Sequence, residues 1–172
     1  MIELLRQRRS IRKYTSQKIE QDKLDILKEA VLRSPSSKNI NPWEFIFVDD
    51  PKLIAQLKNC KPHGTTPLGS APLAVVMCAD ENLNDAWIED CSIASIILQM
   101  TAQSIGLGSC WVQVRNREHS DTVSAENYIQ NLLHIPSNFR VLSIITIGYP
   151  EKWREGKATE DLQFEKIRLN RF

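Results

Sequence analysis

The sequence predicts an α+β sandwich in which helices cover a mixed β-sheet. Strand-like and helix-like segments alternate only loosely, and two inter-strand segments read as loops and short helices, which argues against a doubly wound parallel sheet. One long segment, 85–105, is apolar almost all the way round, so it needs burial in the middle of the fold or against a second copy of the chain. With 172 residues, 42% of them hydrophobic and 25% charged, the chain can bury one sizeable core. A single domain over residues 1–172 is therefore expected.

The elements follow in order. Residues 2–9 look helical, and 20–33 more so, with Leu24, Leu27 and Val31 on one stripe and Pro35 just beyond. Residues 44–48 (EFIFV) form a strand, after which Asp50 offers an N-cap and Pro51 a first helical position for a short helix to Leu57. The stretch 60–70 is loop, and the β-branched run 73–79 (LAVVMCA) is a buried strand. Within 85–105 the acids Asp85, Glu89 and Asp90 fall in the first turns, where the macrodipole favours them, so their reading is structural rather than catalytic. Gly106 suits the cap of that helix, and a strand over 109–114 follows. A helix over 125–133 stopped by Pro136 and a strand over 141–147 complete the core. The polar tail 151–172 has no clear period but ends in Ile167, Leu169 and Phe172, so it should wrap onto a surface.

Bulk charge excludes several functions. A formal net charge of +1 argues against nucleic acid or a membrane surface as partner, since both need a broad basic face. No apolar run approaches the roughly 20 residues of a span, and residues 1–10 lack a signal-peptide core, so a cytoplasmic location is expected. Four cysteines, Cys60, Cys78, Cys91 and Cys110, show no CxxC spacing and read as buried free thiols. Cys60-x-x-His63 has no second pair, so no metal is expected.

Three segments could carry chemistry. Residues 6–13 (RQRRSIRK) hold five cations and a serine, a knot that repels itself unless an anion sits within it. Arginine pairs with phosphate through two parallel hydrogen bonds, and if the helix ends near Arg9 the extended chain sets Arg8, Ser10 and Arg12 on one side with Ile11 opposite. In the second segment, 34–43 (SPSSKNINPW), Pro35 and Pro42 fix the ends, while Ser36, Ser37, Asn39 and Asn41 supply small hydrogen-bonding groups. The third, 105–114 (IGLGSCWVQV), carries a Gly-x-Gly pair, but it follows a helix and precedes a strand, with Trp111 where a dinucleotide site needs its third glycine. Trp111 is then either core or a wall for an aromatic ligand.

Together the RRSIRKY run, the SPSSKNINPW loop, the IGLGSCW turn after a long helix and the IGYP end of the last core strand resemble, in this order and over essentially the whole chain, the FMN-dependent nitroreductase family. The resemblance implies a nitroreductase-like sandwich with a mostly antiparallel sheet, working as a homodimer with FMN at the interface and the C-terminal tail wrapping onto the partner subunit. It places Arg8 at the FMN phosphate, Ser10 at the phosphate or the ribityl chain, Arg9 along the ribityl region mainly through its backbone, and Arg12 at the N1 and O2 edge of the ring. Pro35, Ser36, Ser37 and Asn39 would come from the second subunit. Trp111 and Gln113 would pass their backbone beside the flavin, with Val114 offering a further amide, and Arg154 or Lys157 would complete the phosphate site.

The implied activity is an NAD(P)H-dependent FMN oxidoreductase with ping-pong kinetics, accepting nitroaromatics, quinones or flavins. No catalytic side chain is required, because the cofactor carries the hard step. A flavin-cleaving or dehalogenating relative, or a flavin binder without turnover, are the alternatives.

Overall fold

A computed structural model describes all residues from Met1 to Phe172. Nine main elements run in the order α1 (Ile2–Gln7), α2 (Gln21–Leu32), β1 (Trp43–Val48), α3 (Pro51–Leu57), β2 (Leu73–Asp80), α4 (Trp87–Ser104), β3 (Gly108–Gln113), α5 (Ala125–Leu133) and β4 (Phe139–Gly148). The strands form one sheet in the order β1-β2-β4-β3, antiparallel throughout. Its parallel component is a single bridge from Ser10 to Ser109 on the outer edge of β3.

Local chemistry explains the boundaries. Asp50 caps α3 by accepting from the Lys52 amide at 2.8 Å, with Pro51 in the first turn. The end of α4 closes with two reversed bonds, Leu107 N–H to Ala102 O at 2.8 Å and Gly106 N–H to Gln103 O at 3.3 Å. Gly106 permits this closure by taking φ +81. α5 stops at His134, which turns left-handed before Pro136.

The sheet is covered on both faces. α3 and α5 press Ile54, Leu57, Ala125 and Ile129 against Val76, Val112 and Ile144. α2 and α4 press Leu27, Val31, Ala94 and Leu98 against Val75, Met77 and Ile145. Residues Trp87 and Cys91 of α4 join Trp43 and Leu142 at the other end of that face. The sequence predicts that α4 is enclosed nearly all round, by the fold or by a second copy, and within one chain Ile93 and Ile96 stand open to solvent on its outer side. Beyond Pro150 every residue is exposed except the half-buried Gly156.

Candidate functional site

The N-terminal basic segment is laced onto the sheet edge. α1 ends at Gln7 and Arg8 is extended, so the alternation expected from the sequence is realised: Ile11 is buried at 2% exposure while Arg12 is exposed. The Ile11 amide donates to Ser109 O at 2.9 Å, and the Thr15 amide donates to Tyr149 O at 2.9 Å. The Tyr14 hydroxyl donates to Ile11 O at 2.7 Å and meets Thr146 Oγ1 at 2.8 Å. Burial raises the pKa of that phenol above its ordinary value, so it stays a neutral pin.

The same lacing recruits the start of the tail. The Glu151 amide donates to Lys13 O at 3.1 Å, and the chain then runs so close to α1 that a side chain at Gly156 would strike the Arg6 carbonyl. Arg154 and Lys157 are thereby delivered to the cavity lined by Arg8, Arg9, Ser10 and Arg12, about 250 Å³ in volume. Both tail cations reach it, where the sequence left a choice between them. None of the five cations pairs with a carboxylate, every ion pair of the chain lying elsewhere. Five unneutralised charges around one recess fit a phosphate group. Their field is felt by Cys110: burial raises its thiol pKa, and Arg12, Ser10 and Arg8 partly counter the rise.

β3 supplies an open backbone edge beside this recess. Ser109 O faces outward, since it accepts from Ile11, whereas the Val114 amide faces inward and donates to Leu142 O at 3.2 Å. Strand alternation then turns the amides of Trp111 and Gln113 to the outer edge and holds that of Val114 in the sheet, which removes Val114 as a free donor. Their side chains are tied to each other: Trp111 Nε1 donates to Gln113 Oε1 at 2.8 Å, and Gln113 Nε2 donates to Arg115 O at 2.9 Å.

The loop bearing Pro35, Ser36, Ser37 and Asn39 is pinned by hydrogen bonds but is absent from the lining of the cationic recess of its own chain. Lys38, Asn39 and Asn41 all take positive φ, between 53 and 56. The conformation is held by Ser36 Oγ, which donates to Asn41 Oδ1 at 2.7 Å, and by Asp90, whose Oδ1 accepts from the Ser37 amide at 2.8 Å. The other oxygen of Asp90 accepts from Asn84 Nδ2 at 2.8 Å, and the residue is only 2% exposed. Asp90 thus positions the loop, a role that its place in the first turn of α4 did not announce.

Comparison with known proteins agrees with this geometry. The model of the nitroreductase family matches residues 5–61 and 61–149. An FMN-dependent nitroreductase from Clostridium difficile R20291 superposes with a TM-score of 0.98 and 45% identity, covering 100% of both chains. A protein of Methanothermobacter thermautotrophicus, provisionally named NADH dehydrogenase/NAD(P)H nitroreductase, is 33% identical over 99% of this chain and 85% of its own. The FMN reductase (NAD(P)H) of Bacillus subtilis is 29% identical over 87% of this chain and 66% of its own.

Proposed function

The chain belongs to the nitroreductase family, and from that premise we propose that it is an FMN-dependent oxidoreductase that draws electrons from NAD(P)H and delivers them to nitroaromatic, quinone or flavin acceptors in ping-pong fashion. The observation that carries this reading is the recess of five unpaired cations gathered from both ends of the chain.

Arg8, Arg154 and Lys157 would hold the phosphate, with Ser10 adding a hydroxyl and Arg9 lining the approach. Arg12 would set a fixed positive charge beside the ring, where it favours added electron density. The outward amides of Trp111 and Gln113 would orient the ring without any titratable group. Bound FMN would supply the hydride acceptor and donor, chemistry that no side chain of the protein provides. Gln113, committed to Trp111 and Arg115, is not available as a proton donor.

A homodimer completes this reading. Pro35, Ser36, Ser37 and Asn39 lie outside the recess of their own chain, so a second copy would bring them over the cofactor. Two surfaces support such a partner: the outer side of α4 with Ile93 and Ile96, and the tail, where Phe164, Ile167 and Leu169 are 60%, 65% and 84% exposed. Each tail would wrap onto the other subunit and cover these side chains. A reducing cytoplasm suits the four buried thiols.

Purified protein should be yellow, and Arg8→Ala should weaken FMN retention by about tenfold to a hundredfold, the worth of a hydrogen bond to a charged group. Equal retention by the variant, measured by flavin fluorescence on dilution, would remove the phosphate assignment.

A further inference from the structure

A second set of unneutralised cations lies on the other side of Arg12, in the loop that links α3 to β2. Lys61 is the most informative residue there. It is 9% exposed, and its ammonium has neither a carboxylate within ion-pair distance nor a protein hydrogen-bond acceptor. The stem is buried while the ammonium head keeps contact with solvent, and Arg117 adds a like charge nearby. Burial and Arg117 both push the Lys61 pKa down from its ordinary value. Lys58, on the same loop, is likewise without a carboxylate partner.

The loop is shaped around these two side chains. The Lys61 ammonium rests 3.4 Å from where a Cβ would stand on Gly64, and the Lys58 ammonium 3.6 Å from the same point on Gly69. Both residues line polar hollows that open to solvent. One, of about 320 Å³, is walled by Lys58, Asn59, Lys61, Pro62, Thr65 and His119, with no acidic and no hydrophobic side chain. His119 is fixed in place: its Nδ1 lies 2.8 Å from Asn59 O, which can only accept, so Nδ1 carries the proton, and its ring stacks on Tyr128 at 4.3 Å. A neighbouring cavity of about 550 Å³ shares Lys58, Pro62 and Thr65 and extends to Arg12 and Lys13, with Glu151 as its only carboxylate. A polar trench therefore runs from the cofactor recess to Lys61.

Resting on the flavoenzyme reading above, we propose that Lys58, Lys61, Thr65 and His119 form a second phosphate subsite, separate from the recess of Arg8 and Lys157, which takes a phosphate dianion. The dianion neutralises the two lysines, and Thr65 and His119 add hydrogen-bonding groups. Two sources carry such a group. One is the 2′-phosphate that distinguishes NADPH from NADH, reached along the trench from Arg12; the other is free inorganic phosphate.

The test uses FMN-loaded protein, so that the first recess is already filled. Calorimetric titration with inorganic phosphate and with adenosine 2′-phosphate should show saturable binding, and adenosine should show none. Lys61→Met, which keeps the buried stem but removes the charge, should weaken phosphate binding at least about tenfold, with unchanged flavin content. Lys58→Met gives a second reading in case the buried substitution impairs folding. Tighter binding of adenosine 2′-phosphate than of phosphate, with a raised KM for NADPH and an unaltered KM for NADH in Lys61→Met, identifies the reductant as the source. Equal binding of the two probes, with NADPH and NADH used alike, identifies free phosphate. Absence of binding to the parent protein, or equal binding by parent and both variants, overturns the subsite. A colourless preparation would sink the flavoenzyme reading alone. The comparison of parent and Lys61→Met with inorganic phosphate would still decide the subsite, because the Arg8 recess is the same in both proteins.

Discussion

On one side of the sheet, α3 and α5 close completely over Leu57, Val112, Ile129 and Ile144, none of which is more than 1% exposed. On the other side α2 and α4 bury their inner stripes equally well, through Leu27, Val31, Ala94 and Leu98, but leave Ile93 and Ile96 at 38% and 41% exposure one turn apart on the outer surface of α4. The loop expected over the cofactor is attached to this second side, through Asp90 of α4. The closed side thus finishes the fold, whereas the open side keeps apolar side chains that a second copy would cover in the proposed homodimer.

The largest effect should come from the closed side. Ile129→Ala removes a fully buried side chain from the larger core cluster, and should cost about 2–5 kcal/mol of unfolding free energy, read by urea denaturation of the flavin-loaded protein. A loss well under 1 kcal/mol would mean that α5 is loosely docked and that the two sides differ less than their burial indicates.

Much of this division could be read in the sequence, and the part that could not has a common cause. The Asp50 cap, the Gly106 closure of α4 and the alternation of Arg8, Ser10 and Arg12 depend on neighbours a few residues away, and all are found where the pattern put them. The grip of Asp90 on Ser37 spans 53 residues, and the meeting of Arg154 and Lys157 with Arg8 joins the two ends of the chain. Contacts of that kind leave no periodicity. The near-uniform apolarity of α4 told of burial all round but could not separate burial by the sheet from burial by a second copy. Lys61 carried no signal at all, since a lysine in a polar loop is ordinarily solvated.

Thiol ionisation sharpens the comparison, because it asks whether the open side is sealed beneath α4. Cys78 lies against the closed side and Cys91 on the inner face of α4, and burial lifts each thiol from 9.0 to about 12. A raised folded pKa means that the unfolded chain releases its protons first as pH climbs. Stability is therefore intact below pH 9 and is lost between pH 9 and the folded values, at roughly 1 kcal/mol per thiol over the first unit above 9. Both thiols should resist iodoacetamide equally at pH 8.5 in the folded protein. Selective labelling of Cys91, detected by peptide mass, would show that α4 lifts from the sheet and that the open side is unfinished on its inner surface too.

The smallest effect on the chain's own stability, and the one that isolates the comparison, belongs to Ile96. A truncation at a site 41% exposed removes little buried area within one chain, so Ile96→Ala should change the unfolding free energy of a dilute, monomeric preparation by no more than about 0.5 kcal/mol. The same side chain at the centre of a subunit contact would behave differently, because truncating a buried interface anchor costs on the order of 1–2 kcal/mol and acts at both symmetry-related copies. Sedimentation of the parent should give about twice the 19.7 kDa chain mass, with the variant dissociating at a higher protein concentration and losing flavin as it does so. If Ile96→Ala instead destabilises the isolated chain as strongly as Ile129→Ala, the outer side of α4 is part of the core of one subunit, and the loop of Pro35 to Asn39 must reach the cations by some route other than a second copy.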